Sequence, residues 1–455
     1  MAVKLLFLFC FFAVMTAVGI LARKYATNVG DFVLGGRAVG PWLTAFAYGT
    51  SYFSAVVFVG YAGQFGWRFG LSATWIGIGN AIIGSLLAWV ILGRRTRIMT
   101  NHLKSATMPD FFGSRFDSKA LKVAASAISF IFLVPYTSSV YNGLSRLFEM
   151  AFDIPYWVCV LAMAVLTGVY VIAGGYMATA INDFIQGIIM LIGIVAVIAA
   201  VLDKQGGLLT AVSRLAELES ENPATLGRQG VFTSVIGPDP LNLIGVVILT
   251  SLGTWGLPQM VHKFYTIKNE KSVKTGTVIS TIFAIVIAGG SYFLGGFGRL
   301  FDNPGIYNEQ GRIMYDAIVP GMLSSLSDVM IGTVIVLVLS ASMSTLSALV
   351  LTSSSTVTLD LIKDTFYKDM SEKKQIRIMR ILILFFILLS VVLALNPPDF
   401  IAQLMGISWG ALAGAFLAPF LYGIYWKGVT KAAVWASFIS GVGITTSNMI
   451  FGYIS

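Results

Sequence analysis

From Val3 to Ile454 the chain is a nearly unbroken series of apolar runs, and this alone decides the solvent it folds in. The runs fall at about 3–22, 42–64, 71–93, 122–148, 155–174, 180–202, 241–262, 275–298, 327–352, 379–395, 399–424 and 431–454. A helix of about 20 residues crosses the roughly 30 Å hydrocarbon core of a bilayer. Charged residues make up 11% of the chain and hydrophobic ones 56%, against roughly a quarter charged in a soluble domain. The mean hydropathy of +0.83 agrees. In lipid a lone strand cannot satisfy its backbone, and the ten-residue alternation of a barrel is absent, so every run is expected to be helical. The expected fold class is an all-α integral membrane protein with about twelve transmembrane helices.

The first run could be read as a signal peptide, because Lys4 precedes it. It is long for such a segment, and no small-residue cleavage site precedes "RKYATN", so it is expected to stay as a helix. The net charge of +9 is not a nucleic-acid signature: the positive residues lie between apolar runs, with no basic patch carrying interleaved aromatics. The loops after runs 1, 3, 7, 9 and 11 hold 22 of the 30 Lys and Arg, although the longest loop, near 203–240, lies on the other side. Those loops are therefore expected to be cytoplasmic, with both termini on the extracellular or periplasmic face of the plasma (inner) membrane. Cys10 and Cys159 both sit in apolar runs, and His102 and His262 lie far apart in sequence, so neither a disulfide framework nor a Cys/His metal site is expected. "GGRAVG" at 35–40 lacks the Lys-Ser/Thr of a phosphate loop.

Two runs are irregular. The second contains "AYGTSYFSA" at 47–55 and the seventh "TSLGTWGLPQ" at 250–259, each placing Gly, Ser and Thr at mid-membrane. Small residues also allow close helix packing. These two segments, however, lie five runs apart, and an odd number of spans per half inverts the second half relative to the first. Paired broken helices in inverted halves build a midplane binding site from unwound backbone.

The ninth run ends in "SASMSTLSALVLTSSSTVTLD", Ser340 to Asp360, in which eleven of 21 residues carry a hydroxyl. Ser340, Ser344 and Ser347 share one helical face, with Thr345 beside Ser344. Hydroxyls in a membrane helix can bond back to the carbonyl four residues earlier, but that does not account for their concentration at mid-depth beside Ala341 and Ala348. A hard monovalent cation such as sodium takes oxygen ligands of this kind without a buried carboxylate. The hydroxyls at 352–358 are nearer the helix end, where they would line a wet path. Apart from residues at span ends, Asp183 in "AINDFIQG" is the one ionisable group expected inside a span. It is either functional, because burial in lipid is expensive, or a helix-start residue at the membrane surface.

At these residues the chain resembles the sodium/solute symporter family, whose members carry proline, other small carboxylates and sugars. The matching stretches are "GGRAVGPW" at 35–42, "ATMPDFFGSRF" at 106–116, "GGYMATAINDFIQ" at 174–186, "ASMSTLSA" at 341–348 and "PFLYGIYWKGVTKAAVWAS" at 419–437. The resemblance implies a leucine-transporter-type fold of two inverted five-helix repeats plus one extra helix at each end. On that reading, 1–30 holds the extra N-terminal helix, 31–202 the first repeat, 203–240 an extracellular loop, 241–425 the second repeat and 426–455 the C-terminal helix. The family's main sodium site falls on the Thr50, Phe53 and Ala341 carbonyls and the Ser344 and Thr345 hydroxyls. A second sodium or coupling role falls on Asp183 and Ser347, although Ala348 departs from the pattern. Tyr136 matches a substrate-contacting tyrosine of the proline-transporting members. Those members have an acidic residue where this chain has Tyr52, and aromatic residues where it has Val56, Thr250 and Thr254, which speaks against proline.

The expected function is thus a sodium-coupled symporter importing a small organic solute such as an amino acid, carboxylate or sugar, not an enzyme. Side chains nearest the two breaks, Tyr52, Ser54, Thr250, Thr254 and Trp255, with Tyr136 facing them, are the expected solute contacts. Sodium, the solute and the bilayer are the expected partners, with no obligate protein partner. A channel or a membrane sensor on the same helical core is the alternative.

Overall fold

A computed structural model describes residues 2–25, 27–152, 154–301, 304–396 and 401–454. Among these there is no strand, only the isolated bridges Val39 to Ile267 and Tyr307 to Ile313. The helices that matter here are α1 (Ala2–Ala22), α2 (Pro41–Tyr52), α3 (56–69), α4 (70–102), α5 (Met108–Arg115), α6 (Lys119–Phe152), α7 (156–174) and α8 (Gly175–Lys204). They are followed by α9 (Pro240–Gly256), α10 (Pro258–Tyr265), α11 (Glu270–Gly295), α12 (Tyr315–Ser324), α13 (Asp328–Asp364), α14 (Glu372–Leu395), α15 (Ile401–Tyr425) and α16 (Lys431–Ile454). Nine helices among the described residues are long and apolar enough to cross a membrane, and the bent pair α9–α10 makes a tenth. The predicted start of the eleventh run, at 399, lies outside the described residues.

Each interruption has a local cause. Helix α2 opens with Pro41, whose fixed φ suits a first turn, and its last ladder bond runs from the Phe53 N–H to the Gly49 carbonyl. The Ser54 hydroxyl then accepts from the Val56 N–H at 3.2 Å, so the chain restarts as α3 within two residues. In the seventh span Pro258 forces Leu257 into an extended conformation (φ −83°, ψ 122°), and α10 leaves α9 at 49°. Gly175, at φ 57°, turns α7 into α8.

The "GGR" of the sequence is also a backbone requirement. Gly35, Gly36 and Arg37 all have positive φ (56°, 65° and 52°), and a β-carbon at Gly35 would press on Tyr176 at 3.1 Å. A non-glycine residue in this region is uncommon and costs of order 1 kcal/mol. The strain is held because Arg37 donates to the Ser105 carbonyl (2.6 Å), the Tyr265 carbonyl (3.2 Å), and the Thr100 carbonyl and hydroxyl (both 3.4 Å).

Helix α13 is the axis of the molecule. In its most apolar window 94% of residues are buried, against 22% for α1 and 17% for α16, so the two terminal helices lie on the rim and α13 at the centre. It packs along α8, α6, α1 and α2, while α2 also packs on α11 and α10. Span 2 and span 8 meet almost backbone to backbone: a β-carbon at Gly66 would lie 2.1 Å from the Gly295 carbonyl.

Candidate functional site

Where α2 breaks, it faces the hydroxyl-rich part of α13. The Ser344 hydroxyl lies 3.0 Å from the Thr50 carbonyl, 3.0 Å from that of Ser340 and 3.1 Å from that of Ala341. The Thr345 hydroxyl lies 3.2 Å from the Thr50 carbonyl, 3.4 Å from Ser51 and 3.1 Å from Ala341. Two hydroxyls thus reach four carbonyls, of which those of Ser340 and Ala341 also belong to the unbroken backbone ladder of α13. The Thr50 and Ser51 carbonyls follow the last ladder bond of α2 and point at a second helix. Backbone oxygens released from a ladder, beside two hydroxyl oxygens, are ligands of the kind a hard cation takes, and they fit sodium. Phe53 and Ala341 line one small cavity of about 10 Å³ beside this cluster.

The remaining hydroxyls do less. Ser347 turns back to the Ser344 carbonyl of its own helix (2.8 Å). In this conformation the stretch 352–358 is closed to water: its hydroxyls are buried, those of Ser354 and Ser355 bond to carbonyls three residues earlier, and those of Ser353, Thr356 and Thr358 have no partner.

The residues expected to hold a solute are gathered only in part. The Tyr52 hydroxyl donates to the Thr250 carbonyl at 2.5 Å, linking the two broken spans directly. Its ring stacks on Phe53 (4.2 Å between centroids) and lies 6.1 Å from Trp409. Tyr136 packs edge-on against Trp409 at 5.9 Å. Both the Tyr136 hydroxyl and the Trp409 indole N–H are buried without a hydrogen-bond partner, and buried polar groups of this kind need an explanation. The Thr250 hydroxyl faces the Asn80 side chain (2.9 Å) and the Thr254 hydroxyl bonds to the Ser251 carbonyl (2.8 Å). Trp255 points at span 3, its indole donating to the Ile83 carbonyl (3.0 Å). Ser54 is used as the cap of α3. Trp409 and Asn80 were not among the expected contacts. Their signal was a single large or amide side chain between small residues, in "GISWGALAG" and "IGIGNAIIG".

Ionisable groups are deeper than expected. Asp183 is fully buried on α8, eight residues past the Gly175 turn, which excludes the helix-start reading. It is not alone: His262 and Lys263 on α10 and Asp360 on α13 are buried too. Lys263, assigned to a loop from sequence because the seventh run was closed at 262, approaches Asp183 to 3.7 Å. At the far end of α13, Lys122 sits among Asp110 (2.7 Å), Asp360 (3.4 Å) and Asp364. The Thr107 hydroxyl caps α5 through the Asp110 N–H (3.1 Å) and donates to Asp360 (2.6 Å).

Two interrupted helices meeting a buried, oxygen-lined third helix in a multi-span chain define a secondary transporter. The chain belongs to the sodium:solute symporter family, whose model matches residues 32–441. It is 30% identical over 443 residues to the osmoregulated proline transporter OpuE of Bacillus subtilis, covering 95% of this chain and 85% of that one. To the sodium/proline symporter of Staphylococcus aureus (strain JH9) it is 29% identical over 458 residues, covering 95% and 83%. Among solved structures it is similar in fold to a Na+-coupled sialic acid symporter in its substrate-bound outward-open state (TM-score 0.75, 17% identity, 93% of this chain and 87% of that one). It is also similar to Mhp1, a nucleobase-cation-symport-1 family transporter in a closed conformation with bromovinylhydantoin bound (TM-score 0.54, 14% identity, 91% and 92%). Its fold is therefore that of the leucine-transporter-type symporters, and the chain is a sodium-coupled, multi-pass membrane transporter.

Proposed function

We propose that the protein imports a small organic solute across the plasma membrane on a sodium gradient, by alternating access. The arrangement would be twelve spans, both termini outside, with inverted five-helix repeats at 31–202 and 241–425. The observation that carries the reading is the meeting of the Thr50 and Ser51 carbonyls with the Ser344 and Thr345 hydroxyls where α2 breaks against α13. Sodium would bind to the Thr50, Phe53 and Ala341 carbonyls and the Ser344 and Thr345 hydroxyls. An ion there ties a broken helix to the central one, and it favours whichever state brings those oxygens together, since a ligand shifts an equilibrium only by its differential affinity.

The solute would bind between the breaks, against Tyr52, Tyr136 and Trp409, with Ser54, Thr250, Thr254 and Trp255 shaping the surround. Aromatic faces cover an apolar body, and the donors of Tyr136 and Trp409 suit a carboxylate or carbonyl end. Proline is the first solute to test, because the relatives aligned over nearly the whole chain are named for it. The substitutions noted at Tyr52, Val56, Thr250 and Thr254 make other amino acids, carboxylates and sugars the comparison set.

The test is uptake of radiolabelled solutes into proteoliposomes under an imposed sodium gradient. Accumulation above equilibrium that collapses with a sodium ionophore is expected for one of them. Uptake of every solute that ignores the gradient would overturn the reading.

A further inference from the structure

The stretches "ATMPDFFGSRF" and "PFLYGIYWKGVTKAAVWAS" take no part in the ion and solute sites, yet they dock on each other. Arg115, at the end of α5, donates to the Gly423 carbonyl (2.9 Å) and the Trp426 carbonyl (3.1 Å) at the end of α15, and the Phe111 and Phe420 rings stand 4.8 Å apart. Lys431, which opens α16, donates to the Asp117 carbonyl just past α5 (2.8 Å). From α4, the Ile91 carbonyl accepts from the Tyr425 hydroxyl (2.5 Å), and Arg95 lies over the Tyr425 ring, 5.2 Å from its centre. The short connection 426–430 between α15 and α16 thus carries Lys427 and is flanked by Arg95, Arg115 and Lys431.

Two of these charges are used within the protein and two are not. Arg115 serves the open carbonyls at the α15 C-terminus, and Lys431 takes the backbone oxygen of Asp117, not its carboxylate. Arg95 and Lys427 are exposed, and among the described residues neither makes a hydrogen bond or an ion pair. The neighbouring Arg94, by contrast, pairs with Glu270 at 2.8 Å. Beside the two free cations stand Trp426, Tyr422 and Tyr425, which are 62%, 55% and 48% exposed. Amphipathic rings at the end of a span mark the depth of the lipid headgroups. Below them α16 presents an uncovered apolar face that includes Ile439 and Ile444. Unpaired cations at headgroup depth, next to an apolar face open to lipid, are complementary to a molecule with a phosphate and acyl chains.

We propose that the α15–α16 connection is a binding site for an anionic phospholipid of the adjoining leaflet, with the headgroup phosphate held by Arg95 and Lys427 and the acyl chains laid against Trp426 and the outer face of α16. A free phosphate would use the cations and leave the rings and the apolar face without a role. The headgroup joins the end of α4 to the connection between α15 and α16, two segments that Tyr425 already links. The site lies outside the ion and solute sites, so it fills without sodium or solute.

The test is independent of transport. Phosphatidylglycerol is titrated into the purified full chain in uncharged detergent, and the lipid bound per chain is counted by native mass spectrometry, with phosphatidylcholine as the net-neutral comparison. Wild type is expected to hold phosphatidylglycerol in preference to phosphatidylcholine. Arg95→Gln/Lys427→Gln should raise the apparent Kd of the tightest-bound phosphatidylglycerol about tenfold or more. Lys104→Gln/Lys268→Gln, which removes two exposed cations from other loops of the same basic face, should leave it unchanged. Lys427→Gln alone, with an expected loss of about fivefold, carries the test if the double variant does not fold. A titration of the Arg95/Lys427 variant that superimposes on wild type, or an equal weakening in the Lys104/Lys268 variant, overturns the inference. So does equal binding of phosphatidylcholine, or displacement of the lipid by inorganic phosphate, which would make this a site for the free anion.

Discussion

The Ser344 hydroxyl reaches the Thr50 carbonyl at 3.0 Å across 294 residues of sequence, and Thr345 reaches the same carbonyl at 3.2 Å. One backbone oxygen is therefore shared by two side chains of another helix, at the point where its own helix comes to an end.

Replacing either hydroxyl tests what the shared oxygen is for. Ser344→Ala and Thr345→Ala each remove one oxygen and leave a residue helices accept. Each is expected to raise the sodium concentration for half-maximal uptake about tenfold, a loss of roughly 1.4 kcal/mol, with the melting temperature in sodium-free buffer nearly unchanged. A sodium titration of uptake that superimposes on wild type in both variants would remove these residues from the site.

Tyr136→Phe deletes a buried hydroxyl that has no partner in the protein. Nothing is broken within the fold, so thermal stability should hold. If the hydroxyl bonds to the solute, the apparent solute constant rises roughly three- to tenfold. Wild-type affinity in the phenylalanine variant would place the solute elsewhere.

Lys122 compensates three carboxylates, and Asp360 among them is 1% exposed. Lys122→Met strands those charges and is expected to cost about 3 kcal/mol, read as a lower melting temperature in detergent. Asp364→Asn, at a side chain 39% exposed, should cost less than about 1 kcal/mol. Equal effects would mean that the cluster is not organised around the buried aspartate.

Gly66→Ala places a β-carbon 2.1 Å from the Gly295 carbonyl, where only backbone could yield. Overpacking of this kind costs about 1–3 kcal/mol. The variant should fold poorly or lose transport, whereas Gly245→Ala, with nothing within 4 Å of the added carbon, should behave as wild type in both assays.

What could be read from the chain follows from which forces are local. Pro258 announces the bend of the seventh span because the restriction it places on Leu257 acts on the adjacent residue. The face shared by Ser344 and Thr345 follows from helical periodicity. Lys263 could not be placed, because a lysine at the edge of an apolar run looks the same whether it turns outward to water or inward to an aspartate 80 positions earlier. Trp409, Asn80 and the Lys122 cluster were missed for the same reason: their partners come from distant spans. Arg37 lay within a recognised motif, yet its left-handed backbone became visible only with the three carbonyls that hold it.

That guanidinium ties together three segments at one face of the protein. The Ser105, Thr100 and Tyr265 carbonyls belong to the α4–α5 connection, the end of α4 and the end of α10, and a single planar fork on the segment leading into α2 holds all three. Withdrawing that segment breaks these bonds together, since a rigid fork cannot leave one acceptor while keeping correct geometry to the others. The face is thereby latched like a door with one bolt through three plates. Intermediate, half-unlatched positions, through which ions could slip uncoupled from solute, are the ones this geometry makes costly.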